Sequence, residues 1–144
     1  MPVISYLCTT YKITFKQIKN MKTIHTEQAP KAVGPYSQAI EAGGFVFASG
    51  QLPIDPATGA FAEGGIKEQT RQSLTNAQAV LRAAGIDLTH VVKTTVFLSD
   101  IDNFAAMNEV YAEFFKEPYP ARSAFAVKTL PKGALVEVEC IAEK

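Results

Sequence analysis

Ala134-Leu135-Val136-Glu137-Val138-Glu139-Cys140-Ile141-Ala142, close to the C-terminus, decides how the rest of the chain is read. Side chains on a strand alternate between two faces. Val136, Val138, Cys140 and Ala142 therefore point one way, and every one is apolar. Leu135, Glu137, Glu139 and Ile141 point the other way and mix carboxylates with large aliphatics. The first face suits a helix-covered core. The second is too aliphatic for a freely solvated face, which predicts that it meets another subunit.

Working outward, Pro131-Lys132-Gly133 joins this strand to another at 121–127. Phe104, Met107, Tyr111 and Phe114 recur at helical spacing, and the helix they define stops before Pro118. Asp100 and Asp102 offer N-cap oxygens before it. Val91 to Leu98 is a β-branched strand. Ile66, Thr70, Leu74, Ala77, Leu81 and Ala84 draw one stripe along a helix at 66–84, with Gly85 placed for a left-handed C-cap. Asp55-Pro56-Ala57-Thr58-Gly59 is a turn. Gln38 to Ser49 reads as a hairpin about Gly43-Gly44, since glycine accepts the positive φ of a two-residue turn. The order is strand-strand-helix-strand-helix-strand-strand. Its two overlapping βαβ-like crossovers predict an α+β fold with a mixed sheet and both helices on one face.

The 144 residues make about one domain. Fourteen basic and fourteen acidic residues cancel, which argues against a nucleic-acid binder acting through bulk charge. Residues 1–20 carry +3 and residues 21–144 carry −3. Met21 opens a different texture, so 1–20 reads as a dispensable or mis-started extension ahead of one domain at 21–144. Basic and free of acid, it could alternatively be a transit peptide to the mitochondrial matrix, although it lacks arginine. Otherwise a cytoplasmic, reducing compartment fits two isolated cysteines, Cys8 and Cys140. No apolar run reaches the ~20 residues of a membrane helix. No cluster of His and Cys has the spacing of a metal site, and neither His25 nor His90 has a neighbour suited to triad chemistry.

Arg122 is the residue of interest. It follows Pro120 at a strand start and alternates with small Ala124 and Ala126, which leave space around a guanidinium. An arginine fork binds a carboxylate in bidentate fashion. On the residues alone, a structural salt bridge at a subunit edge is the simpler account. Glu137 and Glu139 share a strand face, so each raises the other's pKa, and apolar neighbours add to the effect. Such a carboxyl could exchange protons near neutrality. A pair of exposed acids is the plain alternative. Tyr36, after Gly34-Pro35, could line a pocket or simply be a buried tyrosine.

These pieces together resemble the Rid family of reactive-intermediate deaminases, also called YjgF or L-PSP, and within it the RidA-like imine deaminases. The resemblance runs from Met21 to the C-terminus. It rests on Ala32-Val33-Gly34-Pro35-Tyr36-Ser37-Gln38-Ala39, on Phe47-Ala48-Ser49-Gly50-Gln51-Leu52-Pro53, and on Val92-Lys93-Thr94-Thr95-Val96-Phe97-Leu98. Pro120-Ala121-Arg122-Ser123, Leu130-Pro131-Lys132-Gly133 and Val136-Glu137-Val138-Glu139 complete it.

The resemblance implies a chorismate-mutase-like fold and a homotrimer with active sites between subunits. It also implies a hydrolase that turns 2-aminoacrylate and 2-iminobutanoate into 2-keto acids and ammonia, without metal or organic cofactor. Arg122 then clamps the substrate carboxylate and Glu137 holds water and shuttles its proton. Tyr36, Ser49 and Asn108 match pocket positions. Many members carry Cys where this chain has Ala124, a position whose backbone carbonyl could hold water with either residue. Some relatives carry the label of endoribonuclease or translation inhibitor, and a noncatalytic, chaperone-like trimer that binds small carboxylates is the remaining alternative.

Overall fold

The computed structural model describes residues 21–144. The readings of 1–20 as an extension or transit peptide lie outside the described residues, as does Cys8.

Six strands form one sheet: β1 (Lys22–Ile24), β2 (Ala39–Ala42), β3 (Phe45–Gln51), β4 (Val91–Leu98), β5 (Ala121–Ala126) and β6 (Val136–Glu143). The helices are α1 (Ile66–Ala83) and α2 (Phe104–Phe114). The spatial strand order is β1-β2-β3-β6-β4-β5. The expected α+β architecture is present, with both helices packed on one face of a mixed sheet. Among the described residues, no helix is long and apolar enough to cross a membrane.

β2 and β3 form the expected hairpin, pairing Ala42 with Phe45 across Gly43-Gly44. Both glycines have positive φ, 59° and 81°, which the two-residue turn requires. α2 links β4 to β5, adjacent and parallel, as a βαβ unit should. α1 links β3 to β4 over a wider gap, because β6 inserts between them antiparallel to both. β1 was not foreseen. It pairs its three residues with β2, and only Ile24 is buried, so no alternation was there to read.

α1 ends in a Schellman motif around Gly85 (φ 82°): Ile86 N–H donates to Leu81 O and Gly85 N–H to Arg82 O. Only one of the two aspartates expected to cap α2 acts as a cap. Asp100 accepts from Asp102 N–H at 2.9 Å and so caps a short 3-10 turn, Ile101–Asn103, that precedes the helix. Asp102 lies inside that turn, and α2 starts without a side-chain cap.

The core lies between helices and sheet. Leu74, Val80, Leu81, Val96, Leu98, Met107 and Val136 are fully buried. The apolar face of β6 is buried along its whole length, as its alternation requires. The buried face of α1 is wider than its apolar stripe and takes in Gln69, Ser73 and Asn76. Gln69 Oε1 accepts from Leu135 N–H, and Asn76 Nδ2 donates to Leu52 O and Ile54 O at 3.0 and 2.8 Å. These amides anchor to α1 the loops that lead out of β3 and into β6. On the outside, Lys67–Glu109 and Arg71–Glu113 ion pairs tie α1 to α2.

Asn76→Ala leaves two carbonyls without their donor. A loss of about 1–3 kcal/mol in chemical denaturation is expected, the cost of stranding buried polar groups.

Candidate active site

The strand register places Arg122. β5 is an edge strand paired only to β4, and Arg122 lies beside Thr94 and so shares its face, the helix-covered one. Thr94 is fully buried, and its hydroxyl bonds the Tyr111 hydroxyl at 2.8 Å. The bond fixes the Tyr111 ring, and the Arg122 guanidinium carbon lies 4.6 Å from that ring's centre. Phe104 flanks it at 5.6 Å, and Asn108 Oδ1 accepts from Arg122 Nη1 at 2.6 Å. Phe104, Asn108 and Tyr111 fall on one face of α2 at steps of four and three. A helix face and a strand edge thus hold the cation between two rings and an amide, all of them neutral. Among the described residues no acid pairs with Arg122 within its own chain, so an intrachain salt bridge does not explain it. The cavity beside it, about 460 Å³, is lined by Asn108, Tyr111, Tyr119 and Arg122 among others.

Glu137 lies elsewhere. It is paired with Phe97 and faces away from the helices. It lines a larger cavity, about 580 Å³, together with Tyr36, Ser49, Gly50 and Glu139. Burial pushes the Glu137 carboxyl up from the ordinary carboxylate range, and the Glu139 charge adds to the shift. Ser49 Oγ donates to Ser37 O at 2.6 Å. Tyr36 is half exposed rather than buried, and its hydroxyl accepts from Val33 N–H at 3.3 Å.

One chain therefore holds two separate clusters of candidate residues. Tyr36, Ser49 and Glu137 share one cavity, and Asn108 and Arg122 share another on the opposite face of the sheet. Ala124 lines neither; it is partly buried, next on the strand face of Arg122, and packs against the core. Cys140 is core, with its thiol pushed up to about 12 by burial and then by Glu139. His25 and His90 are surface residues beside Glu27 and Asp87. Among the described residues no group of His, Cys, Asp and Glu could hold a metal.

The sequence reading missed Tyr111 and Phe104 as supports for the arginine. As members of an apolar stripe they look like ordinary core residues. It also missed Gln38, whose buried amide accepts from Thr26 N–H at 2.7 Å and donates to Pro30 O at 2.9 Å. That residue moors the loop carrying Pro30 and Lys31 to the rim of the Glu137 cavity.

An α+β chain with a mixed six-stranded sheet and two clefts of this kind has many counterparts. The family model described as Endoribonuclease L-PSP matches residues 26–144. A RutC family protein of Pyrococcus horikoshii is 58% identical over 123 residues, covering 85% of this chain and 98% of the relative. The 2-iminobutanoate/2-iminopropanoate deaminase of Bos taurus is 50% identical over 121 residues, covering 84% and 88%. The crystal structure of E. coli TdcF with bound serine superposes with a TM-score of 0.81 at 44% identity, covering 85% of this chain and 98% of that one. The chain belongs to the L-PSP family, also called Rid or YjgF.

The raised Glu137 carboxyl has a stability consequence. Between its ordinary pKa and the higher folded one, the folded state binds more protons than the unfolded, so stability falls as pH rises through that window. Glu137→Gln should match the parent's melting temperature below about pH 4, where both side chains are neutral, and exceed it at neutral pH. Melting curves across pH test this; a variant less stable than the parent at pH 7 contradicts it.

Proposed function

We propose that this protein hydrolyses reactive 2-imino acids, such as 2-iminobutanoate and the imine form of 2-aminoacrylate, to 2-keto acids and ammonia. The reading rests above all on Arg122: a partly buried guanidinium, oriented by neutral groups, with donors uncommitted to any acid among the described residues. Such a fork suits the carboxylate of a small substrate. The deaminase name of the Bos taurus relative and the serine bound to the E. coli relative agree with that substrate class.

We place the reaction between copies of the chain, in a homotrimer. Arg122 and Glu137 lie on opposite faces of one sheet and can share a cleft only across an interface. The face that carries Glu137 also exposes Phe47 and Phe125, both 45% exposed, as a surface for a second copy to cover.

In this mechanism Arg122 of one copy fixes the substrate carboxylate and presents the adjacent imine carbon. Glu137 of the neighbour orients water and takes one of its protons as oxygen attacks that carbon. The same carboxyl returns the proton to nitrogen. As the tetrahedral adduct collapses, the carboxylate takes the remaining hydroxyl proton and passes it to the departing nitrogen; the carbon–nitrogen bond breaks, releasing ammonia and leaving the keto acid. The raised pKa increases the carboxylate's affinity for the proton it takes from water. Ser49 and Asn108 shape the pocket and can hydrogen-bond the substrate, and Tyr36 packs against it. The electrophile is already activated, so positioning and one proton carrier suffice.

Threonine dehydratase can supply 2-iminobutanoate while keto-acid formation is followed. Arg122→Ala should lower the rate enhancement by about 100-fold or more with the assembly intact, and Arg122→Lys should not restore it. Glu137→Gln should lose turnover but keep ligand binding. Mixing subunits of the two inactive variants should restore about a quarter of the sites, since each new cleft can draw its intact residue from a different chain. Full activity in Arg122→Ala overturns the assignment. If Glu137→Gln is fully active, Glu137 has no catalytic role. Salt-sensitive RNA cleavage lost with Arg122→Ala would favour the endoribonuclease reading instead. The −3 charge of residues 21–144 and the paired acids of the larger cavity speak against that reading.

A further inference from the structure

Eight of the chain's nine glycines have positive φ, where glycine is needed for the backbone itself. Gly50 is the exception, so its backbone conformation does not call for a glycine. What singles it out is space. A Cβ at this position would lie 2.0 Å from Glu137 Oε1, 2.9 Å from Cδ and 3.2 Å from Cγ. All three nearest atoms belong to the same side chain. Glu137 lies flat against the bare Cα of Gly50.

The local backbone explains how this comes about. Ala48 pairs with Cys140 and Gln51 pairs with Val138, so three steps on β3 oppose two on β6. The extra residue makes a bulge at Ser49-Gly50, and bulges re-aim side chains next to functional sites. Ser49 N–H is turned to Gln38 O and Ser49 Oγ to Ser37 O, so neither reaches the carboxylate. Glu137 makes no side-chain hydrogen bond or ion pair among the described residues. Packing, and no polar tether, therefore holds it.

We propose that Gly50 is a positioning residue: the side chain it lacks forms the cradle that seats the Glu137 carboxyl in the cleft. This deepens the deaminase reading and rests on it for the catalytic consequence, while the cradle itself can be tested without activity. The cradle also presses the carboxyl against the Gly50 backbone, in keeping with its burial-driven shift.

Two measurements on the full-length protein test this. The first is a thermal-stability cycle. Gly50→Ala should lower the melting temperature of the parent but not of Glu137→Ala, which removes the three atoms nearest the new methyl. An equal loss in both backgrounds overturns the proposal, because the cost would then lie in the backbone. The second is a titration of the Glu137 carboxyl by ¹³C NMR, assigned with Glu137→Gln. Gly50→Ala should push the carboxyl out toward water and move its pKa down toward the ordinary range. An unmoved titration overturns the cradle whether or not the protein deaminates imines.

If the protein is a deaminase, Gly50→Ala should reduce kcat by about tenfold to 100-fold with little change in KM. The limb of the pH–rate profile governed by Glu137 should move to lower pH. Adding Glu137→Asp, shorter by one methylene, should recover part of the rate in the Gly50→Ala background while lowering it in the parent. A positive stability cycle and titration without imine hydrolysis would leave the cradle standing and remove the deaminase reading alone.

Discussion

Strand β6 sits between β3 and β4, antiparallel to both, and the division of the sheet into a helix-covered face and an open face follows from the alternation along it. Its inward residues are buried and carry the helices. Its outward residues place three carboxylates and an aliphatic side chain on the open face. The neighbouring strands inherit the same division by register. Thr94 and Arg122 fall on the helix face beside Cys140, while Phe97 and Phe125 fall on the open face beside Glu137. A slip of one residue would exchange the two faces, burying carboxylates under the helices. The cost of burying unpaired charge excludes such a slip.

The two clusters of candidate residues are held by different physics. Around Arg122, aromatic faces and an amide fix the geometry of the cation without neutralising it. An acid there would satisfy the guanidinium and remove its reason to bind an external carboxylate. Around Glu137, burial and a like charge disfavour ionisation, and the carboxyl rests on bare backbone rather than in a donor network. The cation is left without an acid partner among the described residues, and the acid is biased toward its protonated form. Both conditions cost stability in the isolated chain, a common trait of functional sites.

Legibility in the sequence followed the range of the interactions. The hairpin, both helices, the turn at Asp55–Gly59 and the inward face of β6 were readable because periodicity, glycine placement and caps act within a few residues. The three-residue β1 was not, because its existence depends on the edge offered by β2. The polar face of α1 was missed for a similar reason. Gln69 and Asn76 look like surface residues until the loops whose backbone groups they satisfy are folded over them. Asp102 had the chemistry of a cap but lay inside a turn that Asp100 had already started.

The same division applies to the site. The types and local spacing of Arg122, Glu137 and Tyr36 marked them as candidates, since a fork, a shared strand face and a pinned ring are local properties of a chain. Their arrangement was another matter. Strand order and register, which depend on pairing between segments far apart in sequence, set Arg122 and Glu137 on opposite faces of the sheet. Tyr111 became a support for the arginine, and Gly50 a seat for the acid, only through that pairing. Local patterns can name residues and elements, because steric and hydrophobic preferences act along the chain. Which side chains meet is settled by long-range packing, which no single segment encodes.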